Sequence, residues 1–199
     1  MKITAIALLT TGLALPVAAQ EVRDLDAHVH GVSQLEVAIE GGDVTLDLKS
    51  PGMDIVGFEY PASTAADRDA VAAAIQRLLD VGDIVAMTDA AGCRLTAASA
   101  RLDSGEHEHV GHDDHGDAHA EDDYDDHGDE HAADEEGAEH SAFQATYRFA
   151  CDAPDMLTAI TFPFFDQFTT AQEIEAQYVT DTGAGSAEIP RDVARLDLN

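Results

Sequence analysis

Residues 29–49 read VHGVSQLEVAIEGGDVTLDLK and alternate between apolar and polar side chains. Gly41-Gly42 separates two alternating runs and is a hairpin turn signal. Apolar side chains two residues apart indicate strands with one buried face, here Leu35, Val37, Ile39, Val44, Leu46 and Leu48. The stretch therefore predicts two antiparallel strands, the first from Val29 to Ile39, with one face of each in a core.

An Ala-rich segment follows and has the periodicity of a helix. Its apolar residues recur at helical spacing, at Val71, Ala74, Ile75, Leu78 and Leu79. Thr64 or Ser63 is a suitable N-cap, and Gly82 ends the pattern. The sequence predicts an amphipathic helix from Ala65 to Val81 that packs on the sheet.

The two cysteines, Cys93 and Cys151, each belong to an alternating segment. If the two segments pair as antiparallel strands with the cysteines opposite each other, a disulfide joins them and Leu102 faces Ala142. The residues between the strands then form the tip of one long hairpin. This arrangement predicts a disulfide between Cys93 and Cys151, as expected of an exported chain.

The remainder of the chain predicts further short strands. We expect one at Leu157 to Phe162, one around Ile174 to Tyr178, a turn at Gly183 to Gly185 and a last strand at Val193 to Leu198. Three aromatic side chains are expected in the core: Phe164, Phe165 and Phe168. The predicted fold class is α+β, an antiparallel β-sheet with one main amphipathic helix packed on it.

The segment from Gly105 to His140 is rich in potential metal ligands. Its 36 residues include 8 His and 16 Asp or Glu but no Lys or Arg, and its low apolar content predicts a disordered insert. Neutral imidazoles and carboxylates together suit a borderline dication such as zinc. The predicted ligands within the insert are His107, His109, His112, His115, His119, His127 and His131.

A second candidate site lies at His28-Val29-His30. On a strand, side chains two residues apart project from the same face, so both imidazoles could bind one metal ion. Two ligands are too few for a closed zinc site. His140 is the preferred third ligand, because it lies on the polar side of its predicted strand, and Glu59 is a more distant candidate. The alternatives are a solvated strand end for the pair and a last member of the insert for His140.

The chain begins with the features of a cleaved secretory signal, and a retained N-terminal anchor is the alternative. Lys2 precedes a short apolar run, and small residues lead to a predicted cleavage after Ala19. We expect a single exported domain over residues 20–199, with no membrane span in the mature chain. The formal net charge of −30 excludes nucleic acid as a partner and favours a cation.

The motifs of the common enzyme classes are absent from the sequence. There is no His-Glu-x-x-His zinc hydrolase signature, no nucleophile elbow and no phosphate loop. We therefore expect no catalytic residues. A passive buffer or resistance protein for zinc, nickel or copper is the main alternative to zinc capture, and a metallohydrolase is a further one.

Several of these motifs occur together in a pattern that resembles the ZrgA-like family of zinc-regulated periplasmic proteins. The matching residues are His28-Val29-His30-Gly31, Ser50-Pro51, Val56-Gly57-Phe58-Glu59, Cys93, the insert, and Tyr147, Phe149 and Cys151. Members of this family often have His after the Gly-Phe-Glu run, where this chain has Tyr60.

The resemblance implies a periplasmic protein, made when zinc is scarce, that binds Zn²⁺ and assists its uptake. It also implies a partner, which would be a zinc ABC importer or its solute-binding protein. By position, the leading pair of the family corresponds to His28 and His30, and its metal-rich loop corresponds to the insert.

Overall fold

A computed structural model of the protein describes residues 29–104 and 140–198. The predicted signal peptide, His28 and residues 105–139 of the insert lie outside these ranges.

The described ranges contain short helices and nine strands. The helices are α1 (Gly52–Ile55), α2 (Ala65–Leu79) and α3 (Phe164–Gln167). The strands are β1 (Val32–Glu40), β2 (Asp43–Pro51), β3 (Ala86–Met87), β4 (Cys93–Asp103), β5 (Ala142–Cys151), β6 (Ala159–Thr161), β7 (Glu173–Thr180), β8 (Gly183–Pro190) and β9 (Arg195–Asp197).

The strands form two sheets. The larger has six strands in the order β4-β5-β2-β1-β7-β8, and the smaller has three in the order β3-β6-β9. All neighbours are antiparallel except β1 and β7, which are parallel. The prediction of an antiparallel sheet was therefore wrong for this one pair. β1 and β7 are far apart in the sequence, so no hairpin dictates their relative direction.

One hydrophobic core collects side chains from both sheets, α2 and α3. Leu35, Val37 and Leu46 are almost fully buried, which confirms the predicted inward face of the first hairpin. The predicted core aromatics Phe164 and Phe165 are buried as well, as is Phe168. The helices and strands thus confirm the mixed α+β class, and the side chains predicted for the core are buried.

The ends of several elements differ from the prediction. β1 begins at Val32 rather than Val29, because His30 and Gly31 form a turn in front of it. α2 begins as predicted, with Thr64 in a capping box with Asp67, but ends at Leu79. Gly183 to Gly185 belong to β8 rather than to a turn.

β4 and β5 pair as predicted at one end and are shifted by one residue at the other. Cys93 lies opposite Cys151, and a disulfide joins them. A β-bulge between Leu95 and Ala97 then displaces the register, so that Leu102 faces Phe143 and not Ala142. The extra residue in the bulge is Thr96, whose hydroxyl donates to the Arg148 carbonyl at 3.0 Å.

Candidate metal centre

His30 lies in the turn that leads into β1. The next residue, Gly31, has a φ of +88°, a conformation that side chains with a Cβ rarely adopt. Its carbonyl accepts hydrogen bonds from the backbone N–H groups of Gln172 at 2.7 Å and Glu173 at 2.9 Å. The backbone beside His30 is therefore held by the segment that begins β7.

The Gly31 N–H group points at the buried carboxylate of Asp54. It lies 2.9 Å from Oδ1 and 2.8 Å from Oδ2 of this side chain, which is only 3 % exposed. Asp54 belongs to α1, and its own carbonyl accepts the hydroxyl of Thr170 at 2.8 Å. α1 thereby fixes the position of the turn that contains His30.

Glu59 and His140 come together through backbone pairing between the segment after α1 and the start of β5. Ser141 N donates to the Glu59 carbonyl at 3.2 Å, and Gly52 N donates to the Ser141 carbonyl at 2.8 Å. A Cβ on Gly52 would lie 2.6 Å from both the Phe58 carbonyl and the Ser141 hydroxyl. Only glycine therefore permits the close approach that sets His140 beside Glu59.

Both imidazoles donate to the same oxygen of Glu59. His30 Nε2 lies 3.1 Å from Glu59 Oε2, and His140 Nδ1 lies 2.6 Å from it. Glu59 is 9 % exposed, whereas the side chains of His30 and His140 are 55 % and 48 % exposed. The cluster thus has a buried anion at its base and two half-exposed imidazoles above it.

The two buried carboxylates respond to this environment in opposite ways. Burial raises the pKa of Asp54, and the Gly31 hydrogen bond and the charge of His30 offset only part of that shift. Burial alone would also raise the pKa of Glu59, but hydrogen bonds and charge from His30 and His140 outweigh it, so that its pKa is lowered. Glu59 is therefore the carboxylate that the imidazoles keep ionised.

Within the described ranges, neither carboxylate of the cluster has a Lys or Arg side chain as a partner. Glu59 makes ion pairs with His30 and His140, and no ion pair involves Asp54. Glu59 Oε1 and Ser141 Oγ are buried and have no hydrogen-bond partner in the part of the chain that the structure describes. Buried anions and unpaired polar atoms are costly, so the site favours an added cation or another small polar ligand.

The sequence predicted part of this cluster. His30 and His140 both contact Glu59, which was the more distant candidate in the sequence. Neither His28 nor the seven His residues of the insert falls within the described ranges. In those ranges, no group of three or more His, Cys, Asp or Glu side chains is arranged to hold a metal ion as it stands. The ligand roles of His30 and His140 therefore remain predictions.

Tyr60 and Asp54 lie close to Glu59 in the sequence. Tyr60, which stands where the family often has His, stacks on Phe58 with ring centroids 4.7 Å apart and is 57 % exposed. Asp54 was missed by the sequence reasoning. Its available signal was an acid between the apolar residues Met53 and Ile55, directly after Pro51-Gly52.

One comparison with known proteins identifies a family for this chain. The model of a family described as ZrgA family zinc uptake protein matches residues 27–198. That description names an uptake protein and not an enzyme. No curated protein matches the chain. Among the described residues, no helix is long and apolar enough to cross a membrane.

Proposed function

The chain belongs to the ZrgA family of zinc uptake proteins, and we propose that it captures Zn²⁺ in the periplasm and delivers it to a zinc importer. A role in zinc uptake is a property of the family. The capture step, its location and delivery to an ABC importer or its solute-binding protein are our proposal. In this proposal, zinc is the cargo of the protein.

The observation that supports this proposal most directly is the meeting of His30 and His140 on one buried oxygen of Glu59. The two imidazoles belong to segments that are far apart in the sequence. They share an anion that no Lys or Arg neutralises among the described residues. Zn²⁺ would supply the missing positive charge. Imidazole and carboxylate are also ligands that zinc prefers.

The hydrogen bonds to Glu59 leave one nitrogen of each imidazole available. In a neutral ring that donates through Nε2, the lone pair is on Nδ1, and in a ring that donates through Nδ1 it is on Nε2. Carboxylates commonly accept the N–H of zinc-binding imidazoles and thereby fix ring orientation. We therefore assign zinc binding to Nδ1 of His30 and Nε2 of His140, with Glu59 as the carboxylate that orients both.

Two imidazoles occupy half of the four tetrahedral positions of zinc. His28, two residues before His30, is our third candidate. The insert histidines are the source from which captured ions would come, whereas the tight ion would be held by ligands outside the insert. Half-exposed imidazole ligands can release an ion by ligand exchange, which suits delivery better than storage.

The disulfide supports the proposed location. Cys93 and Cys151 are the two cysteines of the chain, and they are bonded to each other. Disulfides persist in oxidising compartments such as the bacterial periplasm and are rare in the cytosol. This agrees with the secretory signal predicted for residues 1–19.

Zinc competition against a chromophoric chelator tests the proposal on the full-length protein and on a variant in which a short Gly-Ser linker replaces residues 105–139. The replacement should lower the number of bound ions but leave one tightly bound ion. Combined substitution of His30→Ala and His140→Ala should remove that ion. Loss of all binding on replacing the insert, or a tight ion that survives the double substitution, would contradict the proposal.

His119→Ala provides a matched control. It removes one imidazole from the insert, the same chemical group that His30→Ala removes from the cluster. We expect the affinity of the tight ion to stay unchanged in His119→Ala. An equal loss in both variants would show that no distinct site exists at Glu59.

A further inference from the structure

We infer that Asp54 is a positioning residue for zinc, holding the His30 backbone through Gly31 and adding a negative charge against the turn that carries His30. This inference rests on the proposed function, because it concerns the same cluster. Asp54 was not among the residues that the sequence singled out, and it is not one of the proposed zinc ligands.

The position of Asp54 is fixed from several sides. Its carboxylate accepts the Gly31 N–H through both oxygens, at 2.9 and 2.8 Å, and its carbonyl accepts the Thr170 hydroxyl at 2.8 Å. The Gly31 carbonyl is held in turn by the N–H groups of Gln172 and Glu173. Both polar groups of the Gly31 backbone are therefore engaged, and His30 enters the cluster from a fixed peptide.

The inference also depends on the fact that residue 54 has a buried carboxylate and not an uncharged acceptor. One backbone N–H group is the only donor to the Asp54 side chain among the described residues, and the side chain is 3 % exposed. The amide oxygen of Asn could accept the same bond without placing a charge in the interior. A buried carboxylate at such a place is costly unless a cation is nearby. Bound Zn²⁺ would be that cation.

Glu59 and Asp54 therefore have different tasks in the cluster. Glu59 accepts both imidazole N–H groups and sets the direction of the rings. Asp54 touches neither ring through a hydrogen bond and acts on His30 through the neighbouring peptide. Removing a partner that orients a metal ligand commonly costs 10- to 100-fold in metal affinity.

Two substitutions separate the contribution of position from that of charge. Asp54→Asn keeps an acceptor for the Gly31 N–H and removes the charge, whereas Asp54→Ala removes both. We expect zinc affinity in the full-length protein to fall about tenfold in Asp54→Asn and about a hundredfold in Asp54→Ala. Amide hydrogen exchange at Gly31 in the metal-free protein should stay slow in Asp54→Asn and become fast in Asp54→Ala.

Tyr147→Phe is the control for a general loss of stability. The Tyr147 hydroxyl donates to the Leu78 carbonyl at 2.9 Å in the core, so the variant also loses a buried hydrogen bond. It should bind zinc as tightly as the wild type. Urea unfolding of the metal-free proteins establishes that each variant is folded, and Asp54→Asn, which keeps the acceptor, provides the test if Asp54→Ala does not fold.

The possible results separate the inference from the proposed function. If Asp54→Ala and Asp54→Asn bind zinc equally weakly, the positioning role is wrong. If both bind zinc as the wild type does while His30→Ala weakens binding, the inference about Asp54 fails and the zinc site stands. If His30→Ala changes nothing, the proposed site itself fails.

Discussion

The two ends of β5 are held in different ways. At Cys151 a covalent bond to Cys93 ties the strand to β4. At the other end, some 30 Å away for a strand of this length, Ser141 exchanges backbone hydrogen bonds with Gly52 and Glu59, and His140 donates to the Glu59 carboxylate. A disulfide holds one end whether or not metal is present. The other end is held by groups that we propose as zinc ligands and their carboxylate partner, so this end should respond to the ion.

The largest expected effect comes from opening the covalent end. Combined substitution of Cys93→Ser and Cys151→Ser removes a cross-link between residues 58 positions apart, which should lower the free energy of unfolding by about 4 kcal/mol. Urea unfolding measures the loss. Zinc affinity should change less than about threefold, since the cluster lies at the opposite end of the strand. A parallel loss of stability and zinc affinity would mean that the two ends are not independent.

Zinc should stabilise the other end. At a concentration about 100 times the dissociation constant, it should raise the free energy of unfolding by about 2.7 kcal/mol. Hydrogen exchange should slow more at Ala142 than at Cys151. A variant carrying both His30→Ala and His140→Ala should show neither effect. Equal protection of both ends, or stabilisation of the double variant, would argue against a zinc site at Glu59.

Glu59→Gln should reveal how much the imidazoles stabilise the metal-free cluster. Because the pKa of Glu59 is lowered in the folded protein, its ionised form contributes stability above the ordinary value of 4.5, and this contribution is lost as the pH falls through the lowered pKa. At pH 7, we expect the free energy of unfolding of the wild type to exceed that of Glu59→Gln by about 1–2 kcal/mol. Urea unfolding at pH 7 and pH 3 checks this, and a difference independent of pH would contradict it.

The smallest effect is expected in the middle of β5. Tyr147→Phe leaves the Leu78 carbonyl at the end of α2 without its buried donor, which should cost about 1 kcal/mol of unfolding free energy. Neither the disulfide nor zinc binding should be affected. Thermal unfolding with and without zinc tests this, and a changed zinc-induced shift would show that the middle of the strand couples to the cluster.

Local patterns in the sequence predicted the parts of the fold that depend on neighbouring residues. Alternation and Gly41-Gly42 predicted the first hairpin, and Thr64, one of the two predicted N-cap candidates, caps α2. The pairing of Cys93 with Cys151 was also predicted correctly, because they are the two cysteines of the chain and each lies in an alternating segment. These features need only the periodicity of strands and helices and the conformational preferences of turn residues.

The errors lie where the structure departs from such periodicity. The bulge at Thr96 adds one residue to β4, and nothing in its sequence marks the place, so Leu102 was assigned the wrong partner. Gly183 and Gly185 suggested a turn but lie in β8, where the Tyr178 side chain leaves no room for a Cβ on Gly185. The parallel pairing of β1 with β7 joins segments about 140 residues apart and has no local signal.

The sequence by itself determined which chemical groups the protein carries: many imidazoles and carboxylates, few Lys or Arg side chains, and two cysteines. The tertiary structure alone decided which of these groups meet. His30, Glu59 and His140 belong to three separate segments. Among the described residues, the backbone pairing of Gly52 with Ser141 and the Asp54–Gly31 contact help to bring them together. The physical reason is that side-chain periodicity encodes which face of an element is buried, whereas the meeting of distant segments depends on how the whole core packs.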